Sequence, residues 1–250
     1  MDAALFTPEA MMARVLYRDA LMLVLDKPAG LAVHAGGKKS EHLGLYLDHL
    51  RFGLPQAPEL AHRLDRDTSG CLVFGRHRQA LKRLGALFAH GRVEKTYWAV
   101  TVGEPPGESG VIDKPLAKIK PTYGWHMKVD PHGQPSATEW RLLGRTGRLS
   151  WLECRPLTGR THQIRVHLAS IGCPIVGDGV YGKGTADLLS PHLHLHARRI
   201  SVPLYPKKSP VIVTAPVAPH LTDLLRSCGW ADEEPSPVDA QPVLEILGEG

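Results

Sequence analysis

Cysteine is scarce in this chain of 250 residues. Its four, Cys71, Cys154, Cys173 and Cys228, are scattered with no CxxC spacing. Most sit among apolar neighbours, as small core residues of a protein kept in a reducing compartment do. Long apolar runs are missing too: none approaches the ~18 residues that a membrane helix needs. The opening MDAALFTPEA lacks the basic region and following apolar region of a secretory signal. No internal repeat is present. Together these absences point to a soluble, cytoplasmic protein.

Basic residues are absent from one end. Residues 231–250 hold six acids (Asp232, Glu233, Glu234, Asp239, Glu245, Glu249) and no Lys or Arg. The formal net charge of +5 therefore hides a body of 230 residues with 30 bases against 19 acids, a net of +11. Such a body suits a polyanionic partner, because phosphate contacts release counterions and long-range attraction steers encounter. The Pro-rich acidic end has little to bury and reads as a disordered tail. The length allows a sizeable core, as one large domain or two packed lobes. The expected boundaries are a lead-in at 1–13, a folded body at 14–230 and the tail at 231–250.

Within the body, residues 15–17, 21–25 and 31–34 read as strands, with Lys27-Pro28-Ala29-Gly30 as a break and residues 36–40 as a basic loop. Leu43, Leu47 and Leu50 have the spacing of an amphipathic helix over 41–52. Residues 76–90 read as a helix with Leu81, Leu84 and Phe88 inward and Arg76, Arg78, Lys82 and Arg83 on the other face. Period-two alternation over 95–102 puts Tyr97 opposite Trp98, Val100 and Val102. Residues 112–120, 138–143 and 149–156 read as extended. Residues 120–133 mix Tyr123, Trp125, His126, Lys128 and His132, a pattern that suits either an RNA-facing loop or an irregular insertion. A helix is expected at 162–171, with Ile164, Leu168 and Ile171 on its apolar face and His162 and Arg165 sharing a side. Paired strands at 193–202 and 211–215 and a helix at 219–228 close the body.

The chain is organised around His62-Arg63-Leu64-Asp65-Arg66-Asp67-Thr68-Ser69-Gly70, followed by the apolar Cys71-Leu72-Val73-Phe74. Thr68-Ser69-Gly70 supplies turn chemistry and residues 71–74 a buried strand, so Asp65 lies on a loop entering a sheet. By spacing alone, Asp65 and Asp67 serve equally well as turn caps paired with Arg63 or Arg66.

HRLDRDTSG resembles the signature of the RNA pseudouridine synthases of the RluA type, whose central Asp is catalytic. EKTYWAV at 94–100 and LTGRTHQIRVH at 157–167 resemble that family's other motifs, in the same order. LDKPAGL at 25–31 is similar to its "NKP.G" opening loop, with Asp26 where Asn is usual. The likeness spans about residues 14–219. It implies an α+β fold: a mixed, largely antiparallel sheet in two fused lobes, with flanking helices and a central basic cleft. It implies isomerisation of selected uridines in structured ribosomal or transfer RNA, by a monomer. Asp65, Tyr97 and Arg165 match the family's catalytic positions, and His62, Arg63, Leu64 and Ile164 are the expected substrate contacts. Arg63 corresponds to the residue that enters the RNA when the target uridine leaves the stack. Many relatives carry an S4-type RNA-binding domain ahead of this point; here there is no room for it, so substrate choice is expected from the catalytic body.

One carboxylate suits such a reaction. Breaking a bond at the anomeric carbon is helped by a carboxylate in a site that excludes water. A glycosidase needs a second acid to activate water, but an isomerase returns the same base through a different atom. Attack on the sugar, attack on the base and abstraction of a sugar proton remain open to Asp65. An opposite charge within about 4–6 Å favours the ionised carboxylate, which is the part Arg165 would take. No metal or organic cofactor is expected.

Two other patterns compete. His192, His194 and His196 alternate with Leu193 and Leu195 like ligands on one strand face, the mark of a metal-dependent hydrolase, but no acid cluster accompanies them. GDGVYGKG at 177–184 nearly spells a phosphate loop, yet Gly184 is followed by no helix signal and stands where Ser or Thr belongs. A non-catalytic RNA-binding protein of the same fold is the remaining alternative, and intact Asp65, Tyr97 and Arg165 argue against it.

Overall fold

The computed structural model describes residues 6–35, 41–119, 126–184, 186 and 189–234. In chain order the elements are α1 (Pro8–Ala13), β1 (Val15–Arg18), β2 (Met22–Lys27), a 3₁₀ helix (Leu43–Leu50), β3 (Glu59–Leu60), β4 (Ser69–Gly75) and α2 (Arg78–Ala89). Then follow β5 (Glu94–Val102), β6 (Ser109–Asp113), β7 (Leu116–Ile119), β8 (His126–Val129), β9 (Ala137–Thr146) and β10 (Leu149–Pro156). Helix α3 (Gln163–Ser170), β11 (Leu195–Val202), β12 (Val211–Thr214) and α4 (Pro219–Ser227) complete the fold.

Ten strands form one sheet, in the order β1-β2-β4-β11-β5-β10-β9-β6, with β3 on β4 and β12 on β11; β7 and β8 make a separate hairpin. Among the named strands only β4 and β11 run parallel, meeting at Ser69–His196 and Gly70–Ala197. That pairing joins two antiparallel lobes, and the α+β architecture expected from the resemblance is the one found. Gly70 makes the seam possible: its φ is 104°, and a Cβ there would lie 2.3 Å from the Ala197 carbonyl oxygen. The loop carrying Asp65 enters β4 immediately before this point.

Side-chain alternation divides the interior by sheet face. Leu23 and Leu25 of β2 and Tyr97 and Ala99 of β5 join one core cluster that spans both lobes. Met22 and Val24 face a second cluster under α2, and Trp98, Val100 and Val102 face a third under α4. The alternation read over β5 therefore holds. No helix of the described residues is long and apolar enough to cross a membrane.

Several local expectations differ from the structure. Residues 31–34 form no strand; only Ala32 makes a bridge, to His42. The helix expected over 41–52 is a 3₁₀ helix burying Leu43, Tyr46 and Leu50, near the three-residue repeat of that geometry. Arg76 is not on the outer face of α2. It is buried ahead of the helix, giving its guanidinium to the carbonyls of Asp19 and Arg51. Helix α3 is not amphipathic, for Gln163 through Leu168 are all buried. Of the mixed loop at 120–133, residues 120–125 lie outside the described residues, and 126–129 form β8 against β7. The stretch read as a lead-in contains α1, whose Met11 is fully buried against the main core. At the other end, Asp232 pairs with Arg226 and Glu234 with Arg198 and Arg199; residues 235–250 lie outside the described residues.

Candidate active site

The loop between β3 and β4 is held by its backbone. Thr68 donates its N–H to the Asp65 carbonyl at 3.2 Å, closing the turn. The carbonyl of Arg66 takes both the Gly30 N–H, at 3.0 Å, and the Lys27 ammonium, at 2.8 Å. Lys27 is 0% exposed, and its other two bonds go to the carbonyls of Pro28 and Leu31 at 2.8 and 2.9 Å. Three ammonium hydrogens thus meet three carbonyls. Burial pushes the Lys27 ammonium down to about 7 against the pull of Asp67, Asp65 and Asp26. This lysine ties the opening loop to the loop that carries Asp65.

Helix α3 supplies the opposite wall. Gln163 anchors its first turn: Oε1 accepts from the Thr158 hydroxyl at 2.7 Å and the Arg160 N–H at 3.0 Å, while Nε2 donates to the Ala137 carbonyl at 2.9 Å. His167, one turn on, donates its Nε2–H to the Lys114 carbonyl at 3.0 Å and is hydrogen-bonded through Nδ1 to Thr138 Oγ1 at 2.9 Å. These polar bonds satisfy a helix that has no solvent face. They also fix the direction in which Arg165 points.

Arg165 faces two acids. Nε and Nη2 form a fork on Asp178, at 2.8 and 2.9 Å, and Nη1 reaches Asp65 Oδ2 at 3.2 Å. Asp178 is 0% exposed and also accepts the N–H groups of Val180 and Tyr181, each at 3.0 Å. Burial works against both charges. The Arg165 fork and the two N–H groups nevertheless hold the Asp178 carboxyl below its ordinary range, and the two carboxylates hold Arg165 above its own. Gly177 lets this turn form: its φ is 76°, and a Cβ would sit 1.8 Å from the His192 carbonyl oxygen. His162, the N-cap of α3, brings Nε2 to 3.9 Å from Asp65 Oδ2.

A cleft of about 970 Å³ opens over this group. Leu64, Tyr97, Ile164 and Leu195 give it an apolar floor, and Arg63, Lys95, Arg155, Arg160 and Arg199 line it with positive charge. Tyr97 is buried, and burial, then the charge of Asp65, pushes its phenol well above the ordinary value. Lys95, whose ammonium burial pushes down to about 8, is fastened to the Thr158 carbonyl at 3.1 Å.

All seven residues singled out in the sequence line this one cleft. Asp65 and Arg165 are bonded, and Leu64 and Ile164 are buried beside them. Arg63 is exposed at the rim. His62 faces inward differently: Nε2 accepts the Val73 N–H at 3.0 Å and the ring stacks on Phe88 at 4.5 Å, so it braces the loop. Burial, with Lys95 nearby, pushes its imidazole down to about 3, leaving it neutral. The two acids of the motif part company, since Asp67 pairs with exposed Arg66 at 3.0 Å while Asp65 turns to Arg165. Sequence reasoning missed Asp178 and Tyr181. The glycines of GDGVYGKG were the available signal, marking a tight turn around an acid. The histidines read as a possible metal face do not converge. His196 bonds Ser69 Oγ at 2.8 Å, and His194 Nδ1 contacts the His192 carbonyl at 2.9 Å. Among the described residues no group of three His, Cys, Asp or Glu is arranged to hold a metal ion.

Comparison with known proteins gives this geometry its family. A family model described as RNA pseudouridylate synthase matches residues 21–170. Over 213 residues the chain is 43% identical to an uncharacterized RNA pseudouridine synthase of Zymomonas mobilis, spanning 84% of this chain and 96% of that one. Over 218 residues it is 38% identical to ribosomal large subunit pseudouridine synthase C of Vibrio cholerae, spanning 84% and 68%. The solved structure of human RNA pseudouridylate synthase domain containing 4 superposes with a TM-score of 0.73 at 25% identity, over 88% of this chain and 95% of that one. With the two-lobed sheet and the cleft at its seam, these matches lead to one conclusion: the chain belongs to the RNA pseudouridine synthases of the RluA type and is an isomerase of uridine in RNA.

Proposed function

We propose that Asp65 is the reacting carboxylate and that the targets are uridines flipped out of structured ribosomal or transfer RNA. The observation that carries this is the Arg165–Asp65 contact of 3.2 Å at the base of the cleft, with Asp178 holding the far side of the guanidinium. One guanidinium between two carboxylates leaves that trio, at the base of an otherwise basic cleft, a net negative charge, which favours positive charge developing at the sugar carbon. The apolar floor and Tyr97 suit the flat face of a base that has left its stack. Flipping costs a few kcal/mol, offset by pocket contacts and by phosphates along the basic rim. Arg63, exposed at that rim, is suited to fill the space the uridine leaves.

Residues 14–230, with α1 packed into their core, then form the catalytic unit, acting in the cytoplasm as a monomer without metal or organic cofactor. The name of the Vibrio cholerae relative, a ribosomal large subunit pseudouridine synthase, favours ribosomal RNA as the first place to look. Chemical mapping of pseudouridine in total RNA, with and without the gene, tests the proposal. Loss of discrete sites in ribosomal or transfer RNA is the expected result. An unchanged map in both would contradict it.

A further inference from the structure

His162 and Tyr181 have no part in the roles given so far. His162 sits at the N-cap of α3 with φ 53°, a left-handed conformation that strains a non-glycine residue and persists only where neighbours enforce it. Tyr181 is such a neighbour. Its Oη lies 2.8 Å from His162 Nδ1 and accepts the Met127 N–H at 3.0 Å. With that oxygen already accepting, the phenol's own proton serves the contact to Nδ1. Nδ1 is then the acceptor and Nε2 carries the ring hydrogen. The Asp65 carboxylate, 3.9 Å from Nε2, favours the same tautomer.

Tyr181 is itself set by the turn that clamps Arg165. Its N–H is bonded to Asp178 Oδ1, and its ring lies 5.1 Å from the Arg165 guanidinium carbon. One short turn therefore aims both groups that face Asp65, and both address the same carboxylate oxygen, Oδ2.

Resting on the proposed role of Asp65, we propose that His162 is a positioning residue for that carboxylate. Tyr181 locks it as the Nε2–H tautomer, and its N–H closes onto Oδ2 when RNA fills the cleft, leaving Oδ1 to the substrate. The gap left to hydrogen-bond length is about 1 Å. Contacts of this kind commonly tighten only once substrate is bound.

Single-turnover conversion of total RNA from cells lacking the gene, measured across a range of pH with excess enzyme, tests this. Tyr181→Phe keeps the ring beside Arg165 and removes only the hydroxyl. It should slow the step about tenfold while RNA affinity stays within about twofold. The acid limb of the pH–rate profile should move to higher pH, because the carboxylate loses a donor to its charged form. The other charged or titratable groups facing His162 are Arg165, Asp178 and Arg63, with His126 edge-on to Tyr181. His162→Gln, whose amide N–H reaches a similar position, should keep more activity than His162→Leu. A wild-type rate with an unmoved acid limb in Tyr181→Phe would overturn the proposal, as would His162→Gln no faster than His162→Leu. If His162→Leu fails to fold, the Tyr181→Phe and His162→Gln rates still decide. Asp65→Asn, run alongside, separates the two ideas: turnover by that variant removes the role of Asp65 itself, whereas an inert Asp65→Asn beside a full-speed Tyr181→Phe removes only that of His162.

Discussion

Two regions of this molecule gather titratable side chains within a few ångström, and they differ in kind. Around Asp65 the signs alternate: carboxylate, guanidinium, carboxylate, with an imidazole alongside, all beneath an open cleft. Around the start of β11 the groups are alike, with the ring centroids of His192 and His194 each 5.6 Å from that of His220. There the ring nitrogens meet backbone carbonyls, His194 at His192 and His220 at Leu193. Burial pushes the imidazole of His194 down, and that of His220 down to about 4. Opposite charges held in low dielectric keep each other ionised and can respond to a substrate's charge. Like groups fastened to the backbone go neutral and pack. Clustering in sequence or space is therefore no sign of chemistry until the signs and the partners are known.

The comparison is sharpened most by taking the alternating cluster apart. Asp178→Asn and Arg165→Met should each cut the single-turnover rate by about a hundredfold or more, while RNA affinity stays within about threefold. In Arg165→Met the acid limb of the pH–rate profile should move upward. Arg165→Lys should recover part of the rate, restoring charge but not the fork. Normal single-turnover chemistry with weak RNA binding and a lower salt slope would show instead that Arg165 contacts phosphate.

A second buried acid tests whether the fork matters. Asp26 has one contact, Arg14 Nη1 at 3.1 Å, where Asp178 has a two-pronged one. Burial wins there and pushes the Asp26 carboxyl up to about 6, from 3.8. Its folded form therefore holds a proton that the unfolded chain has lost, so its stabilising share is full below about pH 4 and is gone above about pH 6. Relative to Asp26→Asn, the wild type should lose of order 2–3 kcal/mol across that window in urea titrations. A flat difference would mean that Arg14 holds Asp26 as firmly as Arg165 holds Asp178.

Much of this was legible in the sequence. Strands β2, β4 and β5 are continuous buried or alternating runs, and period two showed which side of β5 Tyr97 would take. The motifs around Asp65 and Arg165 lie 100 positions apart, and it was resemblance rather than spacing that brought them together. Asp178 was illegible because its importance lies in a partner thirteen residues away across a helix end, which no local pattern encodes. Lys27 was quoted within a motif but given no task, because a lysine's burial depends on three carbonyls contributed by two loops. Helix α3 was legible only in part for a related reason: the pattern showed the apolar face of Ile164, Leu168 and Ile171, but Gln163, Arg165 and His167 are buried too, each on a polar partner.

The smallest effect is expected in the histidine cluster. His192→Gln and His194→Gln should change turnover by no more than about twofold, since the His194 ring meets a backbone carbonyl and the exposed His192 ring meets that of His220. Exhaustive chelation should leave activity intact. Activity lost to a chelator and restored by zinc would return the histidines to consideration as ligands.

The most direct test sets the two acids of one loop against each other. Asp65 and Asp67 are two residues apart, one bonded to Arg165 inside the cleft and the other to exposed Arg66. Pseudouridine formation by Asp65→Asn and Asp67→Asn, each folded and each shown to bind RNA, should be absent in the first and near wild type in the second. Turnover by Asp65→Asn, or equal loss in both variants, would contradict the assignment of the chemistry to Asp65.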